Sequence, residues 1–326
     1  MEITIWGIGA VGMGIATAVA REGETLRLLG RDAHTLEAIE REGISRSGRF
    51  GDRRVPPEWL AVARGLSEIA DAPPEWLLVC TKAHATGEVA RALTPHAEAF
   101  LDARTKLVLC QNGWGNDRPF RSFWPEERLF HARVITGFQR SGLTSVEVTA
   151  HAAPIALGSI FGGHEPTLED LAARIDRGGL PAETCEDMRG VLWAKMLYNC
   201  ALNPLGALTR RRYGALTEDP QTRAVVEGVV RELFDVLEAA DIPLAWPDAE
   251  AYLDAFHTTL IPPTAAHESS MLQDLRAGRP TEIEALCGAV EALAAEHAVA
   301  TPLVSALATL VRLAESTADR SIGGDG

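Results

Sequence analysis

Ile3-Thr4-Ile5-Trp6-Gly7-Ile8-Gly9-Ala10-Val11-Gly12 is the stretch on which the fold class turns. A short apolar strand runs into three glycines spaced G-x-G-x-x-G, and an alanine-rich helical stretch, Ala16 to Ala20, follows. In that setting Gly7 permits a tight turn, Gly9 lets the backbone approach a pyrophosphate, and Gly12 lets the helix pack close to the strand. The helix N-terminus adds N–H donors and a dipole that favours an anion. A glycine-rich turn that binds nothing can carry the same letters; the strand before it and the helix after it make the spacing a signal. Gly7, Ile8, Gly9, Ala10, Val11 and Gly12 are therefore candidates to bind a dinucleotide.

The next strand, Thr25-Leu26-Arg27-Leu28-Leu29, ends at Gly30-Arg31-Asp32, where the ribose end of a dinucleotide belongs. An acid at that tip accepts from the 2′-hydroxyl of NAD, whereas an arginine accommodates the 2′-phosphate of NADP. Arg31 comes first after the strand and Asp32 can cap a helix over 33–42, so the tip reads as an NADP site. A solvated Arg31-Asp32 loop is the alternative. Trp76 to Cys80 and Leu107 to Cys110 are continuously apolar, the pattern of strands covered on both faces by helices. Their tips, Thr81-Lys82 and Gln111-Asn112-Gly113, stand where open α/β sheets bind ligands. Lys82 can reach cofactor or substrate, and Asn112 can donate to a carbonyl or carboxylate, unless Asn112-Gly113 is only a tight turn.

A second informative stretch is Trp193-Ala194-Lys195-Met196-Leu197-Tyr198-Asn199-Cys200-Ala201-Leu202-Asn203. On a helix, Lys195, Asn199 and Asn203 are spaced four and four and form one polar lane, while Val191, Leu192, Met196, Leu197 and Leu202 surround it. A helix apolar on nearly every side belongs in an interior, where an ammonium must be paired, shifted in pKa or open to a cleft. Taken alone, the segment also reads as a snorkelling lysine at a helix edge. Farther on, His267-Glu268-Ser269-Ser270-Met271-Leu272-Gln273-Asp274 and Thr281-Glu282-Ile283-Glu284 contain two helix starts. Ser269 or Ser270 can cap the first, and Thr281 with Glu284 can form a capping box on the second. Capping leaves Ser270 and Glu282 without an assignment.

With 326 residues and 46% apolar content the chain can bury two cores. Strand signals persist to residues 180–185, and everything after them reads helical. The expected architecture is an α/β N-terminal Rossmann-like domain with a mostly parallel sheet over 1–185, an all-α C-terminal domain over 186–316, and a disordered tail over 317–326. Prolines at Pro204, Pro220, Pro247, Pro262-Pro263 and Pro280 mark the expected breaks between helices. A net charge of -14 argues against nucleic acid and anionic membranes as partners. Five cysteines without C-x-x-C spacing point to reduced thiols in a cytoplasmic protein. No apolar run reaches the ~18 residues of a membrane span, and the strand at the very start argues against a signal peptide. Nine histidines show no H-x-x-x-H or H-E-x-x-H spacing, so no metal is expected.

On the glycine loop, Thr81-Lys82, Gln111-Asn112-Gly113, the Lys195/Asn199/Asn203 lane, Ser269 to Asp274 and Thr281 to Glu284, the chain resembles the ketopantoate reductase (2-dehydropantoate 2-reductase) family. The resemblance runs to about Glu315. It implies NADPH-dependent reduction of a 2-oxo acid, with Lys195 in the place of the general acid and Glu282 in the place of the acid that orients substrate hydroxyl and lysine. Asn112, Asn199, Asn203 and Ser270 then hold the substrate's carboxylate and hydroxyl, and a homodimer is compatible with the sequence. The chain departs from the family pattern at Cys287-Gly288, where an Asn-Gly pair is common, and at Thr136-Gly137-Phe138. A hydroxy-acid or opine-type dehydrogenase and a non-enzymatic NADP(H)-binding sensor are the other readings.

Overall fold

The structure, a computed structural model, describes residues 1–322, with side chains to Thr317. The chain divides into two compact units, residues 1–112 with 116–188, and residues 113–115 with those from Arg189 onward.

The first unit begins β1 (Ile3–Trp6), α1 (Ala10–Val19), β2 (Leu26–Leu29), α2 (Ala33–Glu42), β3 (Ile44–Gly48), β4 (Arg53–Val55), β5 (Leu60–Ala63) and α3 (Leu66–Ala70). It continues β6 (Trp76–Val79), α4 (Thr86–Leu93), α5 (Ala97–Asp102), β7 (Lys106–Leu109), β8 (Leu129–Arg133), β9 (Thr136–Arg140) and β10 (Ser145–His151). β11 (Ile155–Gly158), α6 (Pro166–Arg177) and β12 (Ala182–Thr184) complete it. Eight strands form one sheet in the order β12-β11-β8-β7-β6-β1-β2-β5. Every pairing in it is parallel except β8 with β11. All four residues of β6 are buried because helices cover both faces, which is why its sequence is continuously apolar. The chain moves outward from β1 through β2 to β5 and then returns to the other side of β1 with β6. That reversal opens a crevice at the carboxyl ends of β1 and β6, the usual place for a ligand in such sheets.

A second, four-stranded sheet, β4-β3-β10-β9, packs on α1. The sequence gives it little signal, since β3 and β4 carry Arg46, Arg53 and Arg54 among few apolar residues. Arg46 is nonetheless buried, and its Nη2 donates to the Gly178 carbonyl at 3.1 Å, while Arg53 Nη2 donates to Ala20 O at 3.0 Å. These guanidiniums satisfy carbonyls at the C-terminal ends of α6 and α1.

The second unit is helical: α7 (Met188–Thr209), α8 (Tyr213–Glu218), α9 (Pro220–Ala239), α10 (Ala249–Ala255), α11 (Ser270–Arg276), α12 (Ala289–Glu296) and α13 (Pro302–Ile322). Three expectations need correction. Pro204 does not end a helix, because α7 runs through it to Thr209. A proline inside a helix costs about 3 kcal/mol, and burial of Leu202, Leu205 and Ala207 around it offsets that cost. Pro220, by contrast, does mark a break between α8 and α9, opening α9 as its first residue, with the Asp219 carboxylate accepting from the Gln221 and Thr222 amides. The capping box at Thr281 does not close: Thr281 Oγ1 accepts from Ile283 N at 3.2 Å, but Glu284 is held by Arg312. Glu315 from α13 takes its place, accepting from the Thr281 amide at 2.6 Å. That engagement belongs to a last helix that continues past residue 316 to Ile322, where a tail was expected; residues 323–326 lie outside the described residues.

Candidate active site

In the first unit the three glycines of the loop differ in what surrounds them. Gly7 has φ +103, and a Cβ there would come within 2.7 Å of the Thr81 amide at the tip of β6. A Cβ at Gly12 would meet the Gly7 carbonyl oxygen at 2.0 Å, so α1 starts this close to β1 only with glycine. At Gly9 nothing lies within 4 Å of an added Cβ, so the backbone there faces open space. Gly9 caps α1 without any side-chain hydrogen bond, so the first amides of that helix, from Ala10 and Val11 on, are left for an external acceptor. This cradle suits a pyrophosphate. Arg140 on β9 donates through Nη1 to the Ile8 carbonyl at 3.3 Å and puts a cation beside the loop.

From the tips of β1 and β2 a cleft of about 330 Å³ extends, lined among others by Trp6, Gly30, Arg31, Arg64, Glu88 and His96. Arg31 is exposed and pairs with Glu88 at 2.6 Å. Asp32 stands at the N-cap position of α2, but its carboxylate accepts from the Thr35 hydroxyl and makes no side-chain bond to a helix amide. Lys82 is exposed after β6, directly before a single 3₁₀ turn. Gln111 ties the tips of β6 and β7 together, with Nε2 donating to Thr81 Oγ1 at 3.0 Å and to Lys82 O at 3.3 Å. The Asn112 carbonyl accepts from Asn116 Nδ2 at 2.9 Å.

In the second unit the lane lies on α7, with Lys195 and Asn199 half-buried and Asn203 buried. Tyr213 donates from its hydroxyl to Asn203 Oδ1, so the amide NH₂ of Asn203 is the end left to donate elsewhere. Burial pushes the Tyr213 phenol well above its ordinary pKa, which keeps it a donor. Ser269 caps α11: its Oγ accepts from Met271 N at 3.2 Å and donates to the Asn203 carbonyl at 3.0 Å. Ser270, the first residue of α11, is thereby fixed beside the end of the lane.

Glu282 is buried two residues before a π-helical turn, Glu284–Gly288. Such turns re-aim side chains and are frequent at functional sites. Two contacts hold the turn to α7. The Cys200 thiol neighbours that of Cys287, and this neighbour together with burial raises the Cys200 pKa well above the usual thiol value. Trp114 donates its amide to the Ala285 carbonyl at 2.9 Å and stacks, tilted, on Trp193 with ring centroids 5.1 Å apart. A Cβ at Gly113, whose φ is +94, would meet the same carbonyl at 2.2 Å, so this position takes only glycine. Asp274 accepts from Arg279 Nε at 3.0 Å, a link within the unit.

Within the second unit the structure thus brings Asn203, Ser270 and the segment carrying Glu282 onto the helix of Lys195 and Asn199. Gly7 to Gly12, Arg31, Lys82 and Asn112 lie in the first. Sequence reasoning missed Tyr213, Arg64 and Arg140, for no periodicity or motif marks them. Among the described residues no group of three or more His, Cys, Asp or Glu is placed to hold a metal ion, and no helix is long and apolar enough to cross a membrane.

Residues 3–161 match the family described as ketopantoate reductase PanE/ApbA, and residues 187–315 match its C-terminal part. A 2-dehydropantoate 2-reductase from Aquifex aeolicus is 31% identical over 97% of each chain, and one from Halobacterium salinarum is 29% identical over 97% of this chain and 99% of that one. The crystal structure of 2-dehydropantoate 2-reductase from Geobacter metallireducens superposes with a TM-score of 0.84 at 26% identity, covering 96% of this chain and all of that one. With both halves matched and a relative above 30% identity along nearly its whole length, the chain belongs to the ketopantoate reductase PanE/ApbA family.

Proposed function

We propose that the protein is an NADP-dependent reductase of the CH–OH class that converts 2-dehydropantoate to pantoate, the activity named for its curated relatives. The observation that carries this reading is the polar face of a buried helix, Lys195, Asn199 and Asn203, with Asn203 oriented by Tyr213 and backed by Ser269. Gly7 to Gly12 cradle the pyrophosphate of the cofactor, Arg31 takes its 2′-phosphate, and Lys82 and Asn112 complete the site at the strand tips. Bound NADPH supplies the hydride.

The chain's own residues do the rest. Reduction of a ketone places negative charge on its oxygen, and the Lys195 ammonium donates the proton that neutralises it, a contribution of typically ~10²- to 10⁴-fold. Asn199, Asn203 and Ser270 hold the substrate carboxylate with neutral donors, which add no second cation to depress the lysine. Glu282 accepts from the substrate's terminal hydroxyl and orients Lys195. Five free thiols suit a cytosolic enzyme, and a homodimer is the assembly we expect.

Lys195→Ala tests the assignment. We expect kcat to fall by roughly two to four powers of ten while NADPH affinity stays unchanged. An alanine variant with near-full turnover would reduce the lane to a structural feature.

A further inference from the structure

We infer that Arg64, which no motif marks, is a second phosphate-binding arginine of the cofactor cleft and grips the 2′-phosphate together with Arg31. The inference rests on the NADP reading above and extends it to a residue outside the glycine loop and the β2 tip. β2 and β5 are adjacent and parallel, with Leu29 opposite Ala63. The Gly30 amide donates to the Ala63 carbonyl at 3.2 Å, so Arg31 and Arg64 are the next residues to leave these two strand ends. Both line the same cleft, with Ser67 and His96 as further polar groups of its wall.

Each guanidinium is held by a single helix-borne carboxylate. Arg31 pairs with Glu88 at 2.6 Å, and Arg64 donates to both oxygens of Glu40 at 3.4 and 3.0 Å. The Arg31 and Arg64 side chains remain 75% and 50% exposed, so these are surface ion pairs worth little and open to exchange. A phosphomonoester carries a charge of about −1.5 to −2 near neutrality and accepts from two planar forks at once. One exposed arginine facing Glu88 leaves most of that charge uncompensated. A second fork from the neighbouring strand, exchanging Glu40 for the phosphate as Arg31 exchanges Glu88, doubles the donors, and it does so only for a cofactor that has the phosphate.

The test uses two fragments of the cofactor, adenosine 2′,5′-bisphosphate and adenosine 5′-monophosphate, titrated calorimetrically against the full chain, Arg64→Gln and Arg64→Lys. The parent should prefer the bisphosphate. Arg64→Gln should weaken the bisphosphate roughly five- to ten-fold and the monophosphate less than about two-fold, with the difference shrinking as salt rises. Arg64→Lys should restore part of the loss, and activity assays should show the same selective rise in KM for NADPH over NADH. A parent that prefers the bisphosphate while Arg64→Gln keeps the full preference, or loses both fragments equally, overturns the role of Arg64 and leaves Arg31 as the sole anchor. A parent that does not discriminate the two fragments removes the NADP reading itself, and this inference with it.

Discussion

The glycine loop after β1 and the polar lane on α7 are built by opposite means. The loop works through what is missing: at Gly12 a single carbon would run into the Gly7 carbonyl, and at Gly9 the same carbon would enter empty space. The lane works through what is added, three polar side chains on a helix whose neighbours Trp193, Met196, Leu197, Cys200 and Leu202 are buried. A backbone site is therefore written in spacing. A side-chain site is written in residue type, and its meaning depends on groups such as Tyr213 and Ser269 that arrive from elsewhere in the sequence.

Substitutions can separate the two. The largest effect should come from Gly12→Ala, where the new methyl has no room; overpacking of this kind costs typically 1–3 kcal/mol, and thermal denaturation should show the midpoint falling by several degrees. Gly9→Ala lies in the same motif but meets no protein atom, and its φ of -82 suits alanine. Its melting temperature should stay close to the parent's, while NADPH affinity falls by roughly ten-fold, about 1.4 kcal/mol. If both variants lose stability equally, the space at Gly9 is not reserved for a ligand.

Tyr213→Phe sharpens the other half. Losing the hydroxyl frees the Asn203 amide to turn, so KM for the 2-oxo acid should rise several-fold, in keeping with a hydrogen bond worth about 1 kcal/mol, while NADPH affinity is unchanged. An unchanged KM would make Asn203 a purely structural residue.

A smaller, pH-dependent effect belongs to the first unit alone. Asp117 is 1% exposed; burial pushes its pKa up, but the nearby His131 and Arg121 outweigh burial and hold it below the ordinary value. His131 Nε2 stands 3.8 Å from Oδ1, too far for a good hydrogen bond, whereas Arg121 Nη2 is 2.5 Å from Oδ2. A depressed acid stabilises the fold fully above its unfolded pKa, about 3.9, and loses that contribution as pH falls through the lower folded value. Asp117→Asn should accordingly destabilise the protein at pH 7, and denaturant titrations should show the gap to the parent closing below pH 4.

The parts of the molecule that could be read from the sequence follow the same contrast. β1, β2, β6 and β7 are largely apolar runs, and they stand out because both their faces are covered. The sheet of β3, β4, β9 and β10 stood out only at Val146 to Val148, since Arg46 is buried and Arg53 partly buried by capping the carbonyls of helices elsewhere in the chain. Pro204 and the failed capping box at Thr281 misled for a related reason: local preferences yielded to burial around α7 and to Glu315 from the last helix. Of the candidate site residues, those of the glycine loop are legible as a motif, whereas Tyr213 and Arg64 acquire meaning only from the chain segments that fold against them.

The proposed activity is reduction of one branched 2-oxo acid, 2-dehydropantoate. Initial rates of NADPH consumption by the purified protein, measured with 2-dehydropantoate, pyruvate, 2-oxobutanoate and phenylglyoxylate, test it most directly. kcat/KM for 2-dehydropantoate should exceed the others by roughly ten-fold or more, because only that substrate offers a terminal hydroxyl to Glu282. Preference for a different 2-oxo acid, or NADPH binding without turnover on any of them, would contradict the account.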